Sequence, residues 1–261
     1  MRSYVVTGGG RGIGRAVAER LLGDGGAVVV LEAGPVPWAE LGTAGGRVAV
    51  VAGDAADEAV AERAAARAGE LGVFTGWVNN AAVFGDASVH TAPARAVLDL
   101  VAANLDAAIV GSAAAVRRFL SAGTGGAIVN VSSHQARRAV AGCLPYVTAK
   151  AAVEGLTRAL AVEYGPRGIR ANAVAPGSVD TERYRGFVAG LEAGAAARVE
   201  RRMRQAHPLG RVARAAEVAA VIVHLLSAEA SFVTGATVPV DGGRSVLALD
   251  PESAAAPGEE R

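Results

Sequence analysis

Short apolar runs rich in valine alternate along the chain with longer segments in which apolar residues recur every three or four positions. Runs of the first kind are typical of buried strands and occur at 3–7, 27–32, 47–54, 76–82, 126–133, 169–177 and 236–243. Segments of the second kind are typical of helices and occur at 14–26, 57–72, 94–122, 146–165 and 215–227. This alternation predicts an α/β fold with a doubly wound, seven-stranded parallel sheet and helices on both faces.

Two segments break the alternation. Residues 178–210 are polar, rich in arginine and without a clear period, so we expect them to be irregular. Residues 245–261 have the composition of a flexible C-terminal tail. No internal repeat or linker divides the remainder, which predicts a single domain over 1–244.

Composition narrows the classes of function. Of the 261 residues 51% are hydrophobic and the net charge is +1, so a broad electrostatic attraction to nucleic acid or to an anionic membrane is not expected. Cys143 is the only cysteine, and the four histidines lack metal-ligand spacing, so we expect neither an intramolecular disulfide nor a catalytic metal. The chain starts directly with a strand and shows no apolar run of membrane-spanning length, which favours a cytoplasmic protein.

A glycine-rich loop, TGGGRGIG, follows the first strand and opens the first helix. Gly8, Gly12 and Gly14 would let the backbone approach a pyrophosphate, whose charge suits the free amides of a helix start. The spacing is neither GxGxxG nor that of a P-loop, and in a chain with 34 glycines a structural turn is the alternative.

Acidic and small residues follow the next strands. Glu32 ends the second strand, where a carboxylate can accept hydrogen bonds from the ribose hydroxyls and would repel a 2′-phosphate. Arg11 favours the opposite, because it could pair with that phosphate; we expect NAD, with NADP as the alternative. Asp54 either meets the adenine or caps the following helix, and Asn80 and Ala81 end the fourth strand where a cofactor could approach closely.

A third group of residues has the chemistry of proton transfer. Tyr146 and Lys150 share one face of a predicted helix, and Ser133 ends the fifth strand at the same edge of the sheet. An ammonium group near a phenol stabilises the phenolate and lowers its pKa, and Ser133 could hold a substrate oxygen. Asn104, in the preceding long helix, could hold a water that links Lys150 to solvent. Lys150 is the only lysine among 26 basic residues. Its position four residues after Tyr146 therefore favours a specific role over that of an ordinary exposed residue.

Taken in order, TGGGRGIG, GDA, NNAA, Asn104, NVSS, YVTAK, RANAVAPG and TGATVPVDGG resemble the short-chain dehydrogenase/reductase family, over about residues 3–244. The resemblance implies a Rossmann fold and an NAD(P)-dependent oxidoreductase acting on a secondary alcohol or ketone. It implies Tyr146 as acid/base, Ser133 as the group that orients the carbonyl, Lys150 as ligand of the nicotinamide ribose, and Asn104 as part of a proton relay. One departure is Ala82, where the family usually has glycine.

The resemblance also implies a substrate lid at about 182–210 and a homotetramer, with a dimer as the alternative. We expect the cofactor to contact Gly8, Arg11, Gly12, Ile13, Gly14, Glu32, Asp54, Ala55, Asn80, Ala81, Tyr146, Lys150, Pro176, Gly177, Val179 and Thr181.

Candidate substrate contacts are His134 and Arg183. His134 could bond a polar substrate or be a partly exposed loop residue. The lid arginines, including Arg183, could bind an anionic substrate or form a solvated helix face. Two other functions stay open: a non-catalytic NAD-binding scaffold or redox sensor, and an epimerase or dehydratase of the same fold.

Overall fold

The computed structural model describes residues 1–36 and 45–248. Seven parallel strands form one sheet in the order β3-β2-β1-β4-β5-β6-β9. The strands are β1 (Arg2–Thr7), β2 (Ala27–Glu32), β3 (Val48–Ala52), β4 (Val73–Asn79), β5 (Gly126–Val131), β6 (Ile169–Pro176), β7 (Val179–Asp180), β8 (Ala213–Arg214) and β9 (Thr237–Val240). The helices are α1 (Gly12–Gly23), α2 (Glu58–Leu71), α3 (Ala94–Ala122), α4 (Leu144–Tyr164), α5 (Glu182–Ala189), α6 (Ala193–Gln205) and α7 (Ala215–Leu226).

This order confirms the predicted doubly wound sheet, because the chain reverses its direction of travel between β1 and β4. Successive side chains of β1 enter two separate cores. Val5 packs in the core under α2, α3 and α4, and Val6 packs in the core under α1 and α7. The strands read as unbroken apolar runs because both faces of the sheet are covered.

Residues 178–210 are not irregular, and that prediction is wrong. They contain β7, α5 and α6, and β7 pairs with β8 in a separate two-stranded sheet. Neither α5 nor α6 has a fully buried residue, so no apolar stripe marks them in the sequence. The alanines and arginines of α6 are strong helix formers, and intrinsic propensity rather than burial accounts for this helix.

The longest apolar helix, α3, contains Asp99, Asp106, Arg117 and Arg118, so it holds no uninterrupted apolar run of membrane-spanning length. Among the described helices, α3 is long and apolar enough to cross a membrane by length and composition. In the structure it packs against α2, α4 and β4 as part of the domain. Apolar side chains remain exposed on its outer face, among them Leu98, Ile109 and Leu120.

The predicted C-terminal tail begins with an ordered turn. Ser245 donates its backbone N–H to Asp241 over 2.8 Å, and its carbonyl accepts a hydrogen bond from Arg138 over 2.9 Å. Residues 249–261, the rest of that predicted tail, lie outside the described residues.

Buried polar side chains connect the two central strands to the two long helices. The Asn79 amide donates to Asn130 Oδ1 over 2.8 Å and to Ser112 on α3 over 3.0 Å. Asn130 in turn donates to Thr157 Oγ1 on α4 over 2.9 Å. Trp77 donates its indole N–H to Asn79 Oδ1 over 2.6 Å, so the Asn79 carbonyl oxygen is also satisfied. These bonds fix β4 and β5 relative to α3 and α4.

Thr157→Val should lower the free energy of unfolding by about 1–3 kcal/mol, because Asn130 would keep a buried N–H without its acceptor. Thr148→Val is the matched control: it lies on the same helix and bonds the carbonyl four residues back, but it is exposed. The control should change stability by less than about 0.5 kcal/mol. Urea unfolding followed by circular dichroism measures both; equal effects would show that the buried network adds nothing.

Candidate functional site

The β1–α1 loop has the shape that a dinucleotide needs. Gly8 and Gly12 have φ of +63° and +56°, values that favour glycine. A Cβ at Gly14 would overlap the carbonyl oxygen of Gly8, and a Cβ at Gly8 would lie 2.9 Å from Ala81 Cα. The loop therefore packs tightly against the end of β4. Because its glycines carry no side chains, a ligand can approach the loop backbone closely.

The amides of this loop already bind anionic oxygens of the chain itself. Gly10 donates its N–H to Glu32 Oε2 over 2.9 Å, and Gly12 donates to Glu182 Oε2 over 3.0 Å. Two carboxylate oxygens held by these amides show that the donors point to positions that accept negative charge, which is the requirement of a pyrophosphate. The residues present therefore fit a dinucleotide.

Other expected cofactor contacts surround the loop. Ile13 packs against the core under α1 and α7, and Arg11 is exposed beside the loop. Ala55 is buried after β3, while the exposed Asp54 accepts a hydrogen bond from the N–H of Ala56 over 2.9 Å. The helix-cap alternative for Asp54 is wrong, since Asp57 is the residue that caps α2.

The end of β4 is held to the glycine loop through Thr7. Its hydroxyl accepts the backbone N–H groups of Asn80 and Ala81 over 2.9 and 3.0 Å. The Asn80 amide donates to the carbonyl of Gly8 over 3.0 Å. These bonds bring the expected contacts of β1 and β4 into one crevice at the carboxyl edge of the sheet.

The expected contacts after β6 lie across that crevice. Gly177 donates its N–H to Val240 over 3.1 Å, directly after Pro176 ends the strand. Val179 pairs with Ala213 in the small sheet. Thr181 caps α5, and its methyl group lies 3.2 Å from the position that a Cβ would take at Gly12. The expected cofactor contacts after β6 therefore lie next to the glycine loop at Gly12.

Ser133, Tyr146 and Lys150 come together at the end of β5 and the start of α4. Lys150 is 3% exposed, and its ammonium donates to the Val131 carbonyl over 2.8 Å. The same nitrogen lies 5.5 Å from the centroid of the Tyr146 ring. The neighbouring Ser132 donates its hydroxyl to the Lys150 carbonyl over 3.2 Å, whereas Ser133 is hydrogen-bonded to Tyr146.

Burial opposes charge on both ionisable groups of this set. It raises the pKa of Tyr146, while a hydrogen bond with Ser133 and the charge of Arg183 act in the lowering direction. It lowers the pKa of Lys150 to about 8. The contribution of Arg183 to the pKa of Tyr146 was not suggested by the sequence.

Asn104 lies in α3 as predicted, and both of its polar atoms have partners. Its Oδ1 accepts the N–H of Val83 over 3.2 Å and its Nδ2 donates to the Leu100 carbonyl over 3.1 Å. The side chain therefore holds the loop after β4 against α3. Ala82, the departure from the family pattern, is exposed in that loop.

His134 is not a partly exposed loop residue, and that alternative is wrong. It is 6% exposed in a short 3-10 helix after Ser133. Burial, together with the charge of Arg244, lowers its pKa to about 4, so the ring is neutral near pH 7. Among the described residues, its Nδ1 is buried without a hydrogen-bond partner.

A stack of three side chains, formed by Tyr146, Phe84 and Arg183, covers the same site. Phe84, from the loop after β4, stacks on Tyr146 with ring centroids 5.2 Å apart. Arg183 of α5 lies over the Phe84 ring, with its Cζ 3.7 Å from the ring centroid. Arg183 was a candidate from the sequence; Phe84 was missed, because a lone aromatic residue in a loop carries no periodic signal.

The arrangement can move a proton to or from an oxygen held between Ser133 and Tyr146. A nicotinamide, when bound, supplies the two-electron chemistry of such a site. In such a step Tyr146 can exchange a proton and Ser133 can donate a hydrogen bond to an oxygen, while Lys150 places a positive charge close to the ring. Among the described residues no group of three metal-ligating side chains occurs.

Comparisons with known proteins agree with this geometry. Residues 8–245 match the family model described as enoyl-(acyl carrier protein) reductase. The cis-4-hydroxycyclohexanecarboxylate dehydrogenase of Sinomonas cyclohexanicum is 41% identical over 255 residues, covering 94% of this chain and 97% of that protein.

Solved structures of the same fold are similarly close. The ligand-free aldohexose dehydrogenase of Thermoplasma acidophilum superposes with a TM-score of 0.86 at 29% identity, covering 97% of each chain. A short-chain type dehydrogenase/reductase from Mycobacterium ulcerans superposes with a TM-score of 0.83 at 29% identity, covering 94% of this chain and 90% of that one. With the family model, these matches show that the chain belongs to the short-chain dehydrogenase/reductase family and is an NAD(P)-dependent oxidoreductase of alcohols or ketones.

Proposed function

We propose that this enzyme uses NAD(H) to interconvert a secondary alcohol and its ketone, with Tyr146 as the acid/base. The observation that carries the proposal is the meeting of Ser133, Tyr146 and Lys150 at the crevice that the glycine loop also borders. Tyr146 exchanges a proton with the substrate oxygen, and Ser133 holds that oxygen.

Lys150 has two roles in the proposal. Its ammonium stabilises negative charge on the phenol, and it binds the nicotinamide ribose. Its single protein acceptor in the described structure is the Val131 carbonyl, so two of its three N–H donors are left for a ligand. Asn104, by holding the loop at Val83, positions the proton relay between Lys150 and solvent.

The preference for NAD rests on Glu32. Its carboxylate is held at the glycine loop by the N–H of Gly10 and lies at the end of β2, where the adenosine ribose is expected. A 2′-phosphate at this position would meet a carboxylate, whereas ribose hydroxyls can donate to it. Arg11, exposed on the same loop, is the residue that would favour NADP.

The assembly and location are part of the same proposal. Ile109 on α3 and Val162 on α4 are exposed apolar residues, and Phe232 before β9 is fully exposed. Burying such side chains between copies of the chain would remove apolar area from water, which supports a homotetramer, with a dimer as the alternative. The location proposed for it is the cytoplasm.

A panel of candidate alcohols and ketones tests which substrate the enzyme uses. It starts with cis-4-hydroxycyclohexanecarboxylate and an aldohexose, the compounds in the names of the two relatives described above, and adds neutral secondary alcohols and ketones. NADH absorbance reports net oxidation or reduction, and product analysis without a change in absorbance would reveal an epimerase or dehydratase.

Tyr146→Phe should lower kcat by a factor of about 100 to 10,000, the usual contribution of a general acid/base, and leave the Kd for NADH within about threefold. Tyr164→Phe, on the same helix outside the site, is the control and should keep normal turnover. Steady-state kinetics and NADH fluorescence titration measure the two quantities. Full activity in Tyr146→Phe would reject the mechanism, and tight NADH binding without turnover of any compound by the unaltered enzyme would favour the scaffold or sensor.

The buried position of Lys150 predicts an unusual titration. Because burial disfavours its charged form, its ammonium should lose the proton near pH 8 in the cofactor-free protein rather than near 10.5. Since the chain has one lysine, protein labelled with 13Cε-lysine gives a single resonance whose shift against pH reports this pKa directly. The urea-unfolded protein is the control with an ordinary midpoint, and a folded midpoint at 10 or above would contradict the assignment.

Glu32→Ala should raise the ratio of kcat/KM for NADP over that for NAD by about tenfold or more, because it removes a charge that repels the 2′-phosphate. Glu19→Ala, on the exposed face of α1, removes the same charge away from the loop and should leave the ratio unchanged. A strong preference of the unaltered enzyme for NADP would overturn the role given to Glu32.

A further inference from the structure

The stack formed by Tyr146, Phe84 and Arg183 does more than cover the site. Phe84 stacks on Tyr146 at an interplanar angle of 25°, although 56% of Phe84 is exposed. Arg183 lies over the Phe84 ring and is exposed as well. A cation and an aromatic ring therefore stand next to the proposed acid/base with open access to solvent.

The donors of Arg183 are free for a ligand. Contact through the flat face of a guanidinium leaves its N–H groups pointing outward in the plane. Within residues 1–36 and 45–248, no carboxylate lies within ion-pair distance of Arg183. Arg185, two residues further on, is paired with Asp180 over 2.8 Å, and Glu182 is turned toward the Gly12 amide. The charged neighbours Glu182 and Arg185 on α5 are thus engaged elsewhere.

Stacking also prepares Arg183 for binding. An arginine on a free surface loses rotamer freedom when it grips a ligand, and contact with Phe84 has already restricted that freedom. A planar guanidinium held in this way matches the two oxygens of a carboxylate. Since Arg183 and Tyr146 each contact the Phe84 ring, a carboxylate bound to the outward donors of Arg183 lies several bonds from a carbon that reacts at Tyr146.

We propose that Arg183, held against Phe84, is a specificity-determining residue that binds a substrate carboxylate carried several bonds from the reacting carbon. The inference rests on the proposed function, since it takes Tyr146 as the place where the reacting oxygen lies. It makes the preferred substrates oxo acids and hydroxy acids rather than their neutral counterparts.

The test compares 5-oxohexanoate with its methyl ester, two ketones that differ in one charge. The unaltered enzyme should reduce the acid with a kcat/KM about tenfold or more above that of the ester. Arg183→Gln should raise KM for the acid about 10- to 100-fold relative to KM for the ester, whereas a change in kcat that follows from the pKa of Tyr146 should be the same for both ketones. Arg183→Lys keeps the charge without the planar fork and should lie between the two.

Arg185→Gln is the matched control, because it removes the same group from the same helix and should leave the preference unchanged. Phe84→Leu removes the aromatic support and should weaken acid selectivity while Arg183 is still present. Equal use of acid and ester by the unaltered enzyme would overturn the inference and leave the proposed function standing. An equal loss of both substrates in Arg183→Gln would also overturn it, by showing that Arg183 only holds the lid in place.

A binding measurement separates this inference from the proposed function. Hexanoate, an unreactive carboxylate, is titrated calorimetrically into the enzyme with saturating NAD. Weakening of its Kd by about tenfold or more in Arg183→Gln supports the carboxylate site even if neither ketone is reduced. Absence of hexanoate binding, or equal binding by both proteins, overturns the inference whatever the turnover. Lack of turnover by the unaltered enzyme across the whole panel counts against the proposed function instead.

Discussion

The hydrogen bonds from Asn79 to Asn130 and from Asn130 to Thr157 are the constraint on which the site depends. They connect β4 to β5 and β5 to α4 among buried side chains, where an unpaired amide would cost about 1–3 kcal/mol. These bonds fix the register of β4 and β5, and thereby the positions of Asn80 at the end of β4 and of Ser133 at the end of β5. A slip at this layer would separate Ser133 from Tyr146, although neither residue belongs to the network.

The electrostatics of the crevice are set by burial and by a few local charges. An ammonium placed among apolar residues keeps its proton weakly, and Lys150 is in that position with one carbonyl partner. On the cofactor side, the amides of Gly10 and Gly12 are satisfied by Glu32 and Glu182. The latter carboxylate must give up its bond to Gly12 before another anion can use that donor. Backbone N–H groups therefore hold the carboxylates of Glu32 and Glu182 in position, as ion pairs do elsewhere in the molecule.

The sequence predicts the strands and the order of the motifs well, because strands buried on both faces read as uninterrupted apolar runs. It predicts the meeting of Ser133 and Tyr146 only through the rule that the carboxyl ends of parallel strands share one edge. It does not predict α5 and α6, whose faces bury nothing completely. The burial of His134 and the contact between Phe84 and Arg183 are missed as well, since they join parts of the chain far apart and depend on tertiary packing. The sequence offers Asp54 as a possible cap of α2, but Asp57, three residues later, has the capping geometry.

The burial of Lys150 has a consequence for the whole surface. With the only lysine inside, every other basic side chain apart from histidine is an arginine, which keeps its charge beyond pH 12. The positive charge on the surface is therefore constant through the alkaline range in which most proteins lose theirs. The one side-chain amine in this sequence that a reagent for acylating or cross-linking amines can modify is Lys150, inside the crevice. Amine chemistry, which modifies most proteins indiscriminately, becomes a probe of one position in this one.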